Sequence, residues 1–162
     1  MPTPPLPPDL LAMMLRGVSV IVGSRDAAQR PSVMRAMASD VAPDGASVTV
    51  FLARSQSRQL LQDIASTGHL AVVFSEPASH RTVQLKATRA GLRPVDEADR
   101  PVLARYLASM EHEIGRAGYP VQVARTLLAH RLDDLVAVTF TPEQAFDQTP
   151  GPRAGSMLGA RA

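Results

Sequence analysis

The sequence predicts a mainly β protein with helices, an α+β fold in which six antiparallel strands form a barrel and the helices lie at its periphery. Six short segments either alternate in polarity or are rich in Val, Ile, Leu and Phe, as β-strands are. Helical periodicity occurs only at the start of the chain, between the third and fourth strands, and between the fifth and sixth. Six short strands around one core favour a closed or partly closed barrel, because closure removes exposed strand edges.

The first half of the chain contains two helices and three strands. Asp9 is the predicted N-cap of a short helix that ends at Gly17. The period then changes from helical to β, and the strands are predicted at residues 18–24, 31–37 and 47–53. A helix follows at residues 55–67, where Gly68 ends it.

The second half contains the other three strands and a long helical connection. Strands are predicted at residues 70–75, 81–92 and 135–141. The connection is predicted to be helical over residues 96–117 and 121–130. Its apolar stripe must be buried somewhere, so we expect it to pack over the barrel; the stripe consists of Leu103, Leu107, Met110 and Ile114. The strand at residues 135–141 is predicted to be the last, and the residues from Pro142 onward form an extension rich in Pro and Gly.

The length suits one domain, because 162 residues are enough to bury a core but few for two domains. We divide the chain into a proline-rich N-terminal extension (residues 1–8), a barrel domain (residues 9–148) and a C-terminal tail (residues 149–162). No segment approaches the ~20 apolar residues of a membrane helix, and the start of the chain lacks the features of a signal peptide. We therefore expect a cytoplasmic protein with no membrane association.

The composition excludes several chemistries. Without cysteine the chain has no disulfide, thiolate metal site or cysteine nucleophile, so any redox chemistry must come from a cofactor. The four histidines show no metal-ligand spacing, and we predict no metal site. A net charge of +2 gives no argument for nucleic acid. Lys86 is the only lysine; the arginine bias suits an anionic ligand, although a genome-wide codon preference also explains it.

The strongest candidate site lies where the third strand passes into a helix. Arg54, Ser55, Ser57 and Arg58 surround this junction. Backbone N–H groups at a helix start can meet an anion, and the hydroxyl and guanidinium groups add further donors. The segment is therefore a candidate phosphate-binding loop. The alternative is an ordinary serine N-cap followed by solvated arginines.

Two further candidates lie on strands. In the fifth strand Gln84 and Lys86 alternate with apolar residues, so they face away from the barrel interior. They either contact a ligand or form a solvated sheet face. Arg35 is a lone charge among apolar residues of the second strand, which places it at an edge or beside an anion.

The order of elements resembles the FMN-binding split-barrel family, which includes the pyridoxamine 5′-phosphate oxidases. The local likeness lies in residues 31–35 (PSVMR), 51–58 (FLARSQSR), 81–86 (RTVQLK) and 146–155 (FDQTPGPRAG). The resemblance implies a six-stranded antiparallel Greek-key split β-barrel and makes residues 9–148 an FMN-binding domain. It implies that the pair Ser57-Arg58 holds the FMN phosphate. Well-known members follow this pair with lysine, whereas Gln59 stands here, which weakens the match at that point.

The resemblance also assigns roles to the strand residues. Gln84 can donate to and accept from the pyrimidine edge of the isoalloxazine ring, and Lys86 can place positive charge near its N1–C2 carbonyl. Arg35 matches a position that contacts flavin or phosphate. No residue is assigned as catalytic.

The implied function is a homodimeric, FMN-dependent oxidoreductase that acts on a small molecule. The family does not specify the substrate. Two alternatives remain open: a non-catalytic flavin-, deazaflavin- or haem-binding protein on the same barrel, and a dimer that has kept the fold and lost the cofactor.

Overall fold

The alternating segments of the sequence form two antiparallel sheets in the computed structural model, which describes residues 4–159. The large sheet has the order β10-β9-β6-β5-β1-β2, and the small sheet has the order β3-β4-β8-β7. The strands are β1 (Ser19–Arg25), β2 (Pro31–Arg35), β3 (Ala38–Val41), β4 (Val48–Ala53), β5 (Leu70–Ser75), β6 (Thr82–Ala87), β7 (Ala90–Pro94), β8 (Leu135–Phe140), β9 (Gln144–Asp147) and β10 (Ser156–Met157).

The two sheets are joined at corners where the chain bends from one sheet into the other. At the first corner the N–H of Ala36 donates to Val20 O in the large sheet (3.0 Å), and the N–H of Met37 donates to Phe51 O in the small sheet (2.7 Å). The strand predicted at residues 81–92 is therefore divided into β6 and β7. The strand predicted at residues 31–37 ends at Arg35, and its continuation around the corner, β3, lies beyond the predicted range. With each bent strand counted once, β1 to β8 correspond to the six strands of the predicted split barrel, and β9 and β10 add two more. The antiparallel α+β architecture confirms the predicted fold class.

The prediction that the strand at residues 135–141 is the last one is wrong, because two more strands follow Pro142. β9 pairs with the free edge of β6, and β10 pairs with β9. Ala145 of β9 is fully buried, so the segment closes over apolar surface that β6 alone would expose. A strand of four residues is too short for its alternation to stand out from a Pro- and Gly-rich background, and residues 149–162, assigned to a tail, include β10.

Four helices cover the ends and one face of the barrel: α1 (Pro8–Arg16), α2 (Arg58–Thr67), α3 (Arg100–Arg116) and α4 (Val121–Leu127). Two helix starts differ from the prediction. Pro7, not Asp9, is the N-cap of α1, and Asp9 instead pairs with Arg81. α2 begins three residues later than predicted, because residues 54–57 form a turn.

α2 ends at Gly68, as predicted, and this glycine is required. Its φ of 71° lies in the left-handed region. A Cβ at Gly68 would also lie 2.5 Å from Thr88 O, closer than real atoms approach. The end of α2 is thereby held against the corner between β6 and β7.

The connection between β7 and β8 is helical and packs over the small sheet, as predicted. α3 contacts β3 and buries Leu103, Tyr106 and Met110. The barrel core consists of the inward faces of both sheets, including Val20, Val22, Val50, Val72, Phe74, Val83, Leu85 and Val138. Among the described residues, no helix is long and apolar enough to cross a membrane.

Candidate functional site

The alternation of β6 places Gln84 and Lys86 on the outer face of the large sheet. Val83 and Leu85 between and beside them are fully buried in the barrel, whereas Gln84 is half-buried and Lys86 is exposed. This is the orientation that the period of two predicts. Both polar side chains therefore lie on a surface that a ligand can reach.

Arg35 belongs to the same outer face. The register puts Arg35 opposite Ile21, Ile21 opposite Val73, and Val73 opposite Gln84. We call these four residues the outer row. Its ends are polar and its two central residues are apolar, and three strand spacings of ~4.8 Å separate the ends by about 14 Å. Lys86 lies in the neighbouring row.

The polar side chains of this face have defined partners. Arg35 Nη1 donates to Ser19 Oγ (2.7 Å), and Gln148 Nε2 donates to Gln84 Oε1 (3.3 Å). The Gln84 carbonyl is thereby occupied, and its NH₂ group is left as the donor. Lys86 Nζ lies 4.8 Å from the centroid of the Phe146 ring, a cation–π contact. Phe146 of β9, which the sequence did not predict, and Gln148 just after it thus orient the two side chains.

The predicted phosphate-binding loop is a turn between β4 and α2. Ser55 donates to the Asp134 carboxylate through its N–H (3.0 Å) and its hydroxyl (2.5 Å), so both donors are already used within the chain. The N–H of Arg54 donates to Asp134 O (2.7 Å). The side chains of Arg54 and Arg58 are exposed. Of the four predicted side chains, that of Ser55 is therefore the one whose hydroxyl is already hydrogen-bonded to another part of the chain.

Ser57 and the start of α2 form the open part of this loop. Ser57 is the N-cap of α2, yet its side chain makes no capping hydrogen bond, and its buried Oγ has no hydrogen-bond partner. The first turn of α2 contains no acidic residue that would interact with the positive end of the helix dipole. These are the features expected where a helix start accepts an anion.

The strand that precedes the loop, β4, and the strand that ends at Arg35, β2, both adjoin the first corner. The pairing of β4 with β3 ends at Phe51, whose carbonyl also accepts the hydrogen bond from Met37 at the corner. β2 ends at Arg35, two residues before Met37. α2 then packs against β1 and β2, where Asp63 accepts from Ser32 Oγ (2.6 Å) and Thr67 Oγ1 donates to Arg25 O (3.3 Å).

The cations of the predicted site differ from most other arginines in that they have no carboxylate partner. Nine arginines have a carboxylate oxygen within 4.0 Å: Arg16, Arg30, Arg81, Arg93, Arg100, Arg105, Arg116, Arg125 and Arg131. Within residues 4–159 the other cations have none, and they are Arg25, Arg35, Arg54, Arg58, Lys86, Arg89 and Arg153. All four predicted site cations are in this second group, which leaves them available to an anionic ligand.

A cavity of about 630 Å³ opens on the same outer face, a size typical of ligand sites. Of the predicted residues, only Lys86 lines it. The lining residues that the sequence did not single out as site residues include Gly23, Arg25, Gln29, His69 and Glu143. Gly23 interrupts the apolar run of β1, and a glycine inside a strand is a recognised sign of close ligand approach.

The acidic group of the cavity is engaged within the chain. Glu143 accepts from the Thr88 hydroxyl (2.9 Å) and from the Thr88 N–H (3.2 Å). These hydrogen bonds lower the pKa of Glu143 and keep it ionised at neutral pH. In the described part of the chain, no three His, Asp or Glu residues are grouped so as to hold a metal ion.

Solved structures with the same fold support the resemblance. A protein from Lactobacillus delbrueckii, named a candidate pyridoxamine 5′-phosphate oxidase, is 18% identical with a TM-score of 0.55, over 87% of this chain and 93% of that one. An F420 reductase is 17% identical with a TM-score of 0.55, over 86% and 98%. A pyridoxamine 5′-phosphate oxidase-related, FMN-binding protein from Nostoc punctiforme is 10% identical with a TM-score of 0.51, over 91% and 87%.

At these identities the likeness is one of fold. No protein-family model matches the chain, and no curated protein matches it in sequence. The chain has the split-barrel fold of the pyridoxamine 5′-phosphate oxidase-like proteins, and the predicted resemblance is confirmed at that level.

Proposed function

We propose that this protein binds FMN non-covalently and works as a flavin-dependent oxidoreductase on a small molecule. The observation that carries the proposal is the outer row, in which Ile21 and Val73 form an apolar platform between the polar groups of Arg35 and Gln84. A flat aromatic ring system with polar edges, such as isoalloxazine, suits such a platform. The FMN-binding neighbour of the same fold adds support.

Gln84 and Lys86 are the proposed contacts of the flavin ring. The carbonyl of Gln84 is occupied by Gln148, so Gln84 offers its NH₂ group to a ring carbonyl. Lys86 has no carboxylate partner and would stabilise the negative charge that reduced flavin develops near its N1–C2 edge. Its cation–π contact with Phe146 holds the ammonium group on this face.

Ser57, Arg58 and Arg54 are the proposed contacts of the FMN phosphate. Three features suit a dianion at this place: a Ser57 hydroxyl without a hydrogen-bond partner, a first turn of α2 without an acidic residue, and two guanidinium groups without a carboxylate partner. Ser55 is given a supporting role, since its bonds to Asp134 hold the turn in shape. Arg35, next to the first corner, would contact either the phosphate or the ring.

Bound FMN would supply the hydride or electron transfer, and the chain would bind and orient it. The apolar platform excludes water from one ring face, while the cations neutralise charge at the ring edge and the phosphate. We also propose that the protein is cytoplasmic and that it is a homodimer. The homodimer is supported by the exposed apolar side chain of Val33, which lies on the outer face beside the outer row.

A second candidate function is a non-catalytic binding protein, and His69 is the observation that favours it. His69 lines the cavity, and its Nδ1 donates to Thr67 O (2.9 Å), which leaves Nε2 as the nitrogen with a lone pair. Such a histidine is suited to be the axial ligand of a haem.

The visible spectrum of freshly purified protein tests these alternatives. Flavin bands at about 370 and 450 nm support the proposal, and a Soret band lost in His69→Ala would support the haem-binding alternative. If the spectrum is featureless, FMN is titrated into the protein. Failure of wild type to bind FMN or riboflavin would contradict the proposed function and favour a barrel without cofactor.

A further inference from the structure

The 630 Å³ cavity spans two rows of the outer face next to the outer row. One row contains Gly23, Ala71 and Lys86, which are paired across β1, β5 and β6. The adjacent positions toward the β1–β2 turn carry Arg25 and His69, which also line the cavity. Val33, paired with Gly23, continues the first row and also lines the cavity. The floor over Gly23 and Ala71 is therefore made of small side chains, while Val33 and the charged groups stand at its margin.

Gly23 leaves space above the floor of the cavity, although neither its backbone conformation nor its neighbours require a glycine at this position. Its φ is not in the left-handed region, and a Cβ built at Gly23 would meet nothing closer than Ser32 O at 3.7 Å. A glycine inside a strand destabilises the fold relative to alanine. Since neither the backbone conformation nor the packing requires this cost, the space above Gly23 is best explained by a ligand that approaches the strand closely.

Two cations face this space without a carboxylate partner. Neither Arg25 nor Lys86 has a carboxylate oxygen within 4.0 Å among residues 4–159. The one acidic group of the cavity, Glu143, is hydrogen-bonded by Thr88. The cavity thus combines a flat, weakly polar floor with a net positive margin.

We infer that this cavity binds a small organic anion with a flat apolar body, a carboxylate or a phosphate monoester, and that Arg25 is its anion ligand. The body would lie over Gly23 and Ala71, and the guanidinium group would contact the anion in a forked geometry. Assigning this anion as the substrate rests on the proposed function, because the cavity adjoins the outer row proposed for the flavin. The binding itself does not depend on FMN.

Calorimetric titration of the purified protein tests the inference with three probes of similar size. Benzoate and phenyl phosphate carry the anion, and benzyl alcohol carries the same ring without charge. Arg25→Gln removes the charge, and Gly23→Val fills the floor. Arg153→Gln and Gly91→Val are the matched controls, since Arg153 is an unpaired, exposed arginine elsewhere and Gly91 is a strand glycine of β7 with similar open space.

We expect at least one anionic probe to bind wild type at least tenfold more tightly than benzyl alcohol. Arg25→Gln should weaken that probe about tenfold or more, and Gly23→Val should abolish its binding, while both controls stay within about twofold of wild type. The stronger of the two anions identifies carboxylate or phosphate as the preferred group. Loss of binding in Gly23→Val should not come from unfolding, because valine favours a strand.

Parallel titrations with FMN separate this inference from the proposed function. Anion binding without FMN binding would contradict the proposed function and leave the anion site standing. If neither anion binds wild type, or Arg25→Gln binds as wild type does, the inferred site is wrong. If Arg25→Gln weakens FMN as much as the anion, the cavity is part of the FMN site, and the separate site is overturned.

Discussion

Arg58 is the residue on which the proposed phosphate contact depends most. Its guanidinium group is exposed at the start of α2 and has no carboxylate partner in the described chain. A charge-assisted contact is worth about 1.5–3 kcal/mol, or about tenfold to over a hundredfold in affinity. Arg58→Ala should weaken FMN binding by that factor and leave riboflavin, which lacks the phosphate, nearly unchanged. Fluorescence titration of both flavins measures this.

The control for this prediction is Arg153→Ala, which removes an unpaired arginine outside the loop and should not alter the ratio of FMN to riboflavin affinity. Arg58→Ala should also flatten the salt dependence of FMN binding. Its folding should be unaffected, because a cation in the first turn slightly opposes the helix dipole. Equal FMN affinity of Arg58→Ala and wild type would exclude a phosphate at this loop.

Gln29 carries backbone strain in the turn between β1 and β2. Its φ of 67° lies in the left-handed region, which costs a side-chain-bearing residue about 1–2 kcal/mol. Gln29→Gly should remove this cost, and the greater freedom of glycine in the unfolded chain offsets part of the gain. We expect a net stabilisation of about 0.5 kcal/mol in urea unfolding. Ala27→Gly in the same turn, where φ is not positive, should instead destabilise the fold; stabilisation by both would contradict the strain.

At the scale of elements, an ion cluster joins α1, the end of β5 and α3. Glu76 accepts from Ser79 Oγ and pairs with Arg16 and with Arg116 (3.5 Å). The nearly fully buried Glu113 lies 3.7 Å from Arg16 and 3.5 Å from Arg116. The Ser79 hydrogen bond, together with the two arginines, lowers the pKa of Glu76 below its ordinary value of 4.5. The cluster therefore holds three elements together through two carboxylates.

The pH dependence of unfolding tests this cluster. Because the folded-state pKa of Glu76 is lowered, its stabilisation is complete above the unfolded pKa of about 4.5 and is lost as the pH falls through the lowered folded value. Glu76→Gln should cost about 1–3 kcal/mol at pH 7 and flatten the loss of stability below about pH 5. Glu97→Gln, which breaks an exposed pair with Arg100, should cost less at pH 7. Identical acid profiles of Glu76→Gln and wild type would contradict the stabilising role of the ion cluster.

At the scale of the whole molecule, we predict a homodimer that uses the outer face of the large sheet. Val33 projects from this face and is 64% exposed. Light scattering should give about twice the chain mass of 17.3 kDa at micromolar concentration. Val33→Glu should shift the protein toward the monomer, because it places a charge in an apolar contact.

Tyr119 provides the control for the dimer. It is 61% exposed, close to the exposure of Val33, but it belongs to the connection between α3 and α4 and not to a strand of the large sheet. Tyr119→Glu should leave the mass unchanged. A wild-type mass near that of one chain would contradict the dimer. Dissociation by Tyr119→Glu alone would move the interface to the helices.

The sequence by itself determined the fold class and the faces of the strands. The period of two placed Gln84 and Lys86 outward and Val83 and Leu85 inward, because successive side chains of a strand point to opposite sides whatever the strand pairs with. The helical stripe of α3 predicted burial for the same local reason, and Gly68 marked the end of α2. These features depend on neighbouring residues in the chain, so the sequence contains them in full.

Only the tertiary structure decided which of the candidate side chains already have hydrogen-bond partners within the chain. Ser55 is engaged by Asp134, a residue 79 positions away, and Glu143 is engaged by Thr88 across the corner of the sheets. β9 joins β6 only because an unpaired edge and a buried Ala145 favour it. Partners of this kind follow from strand register and from the bend at each corner, and no local pattern encodes them, because the energy of a contact depends on which distant groups the fold brings together.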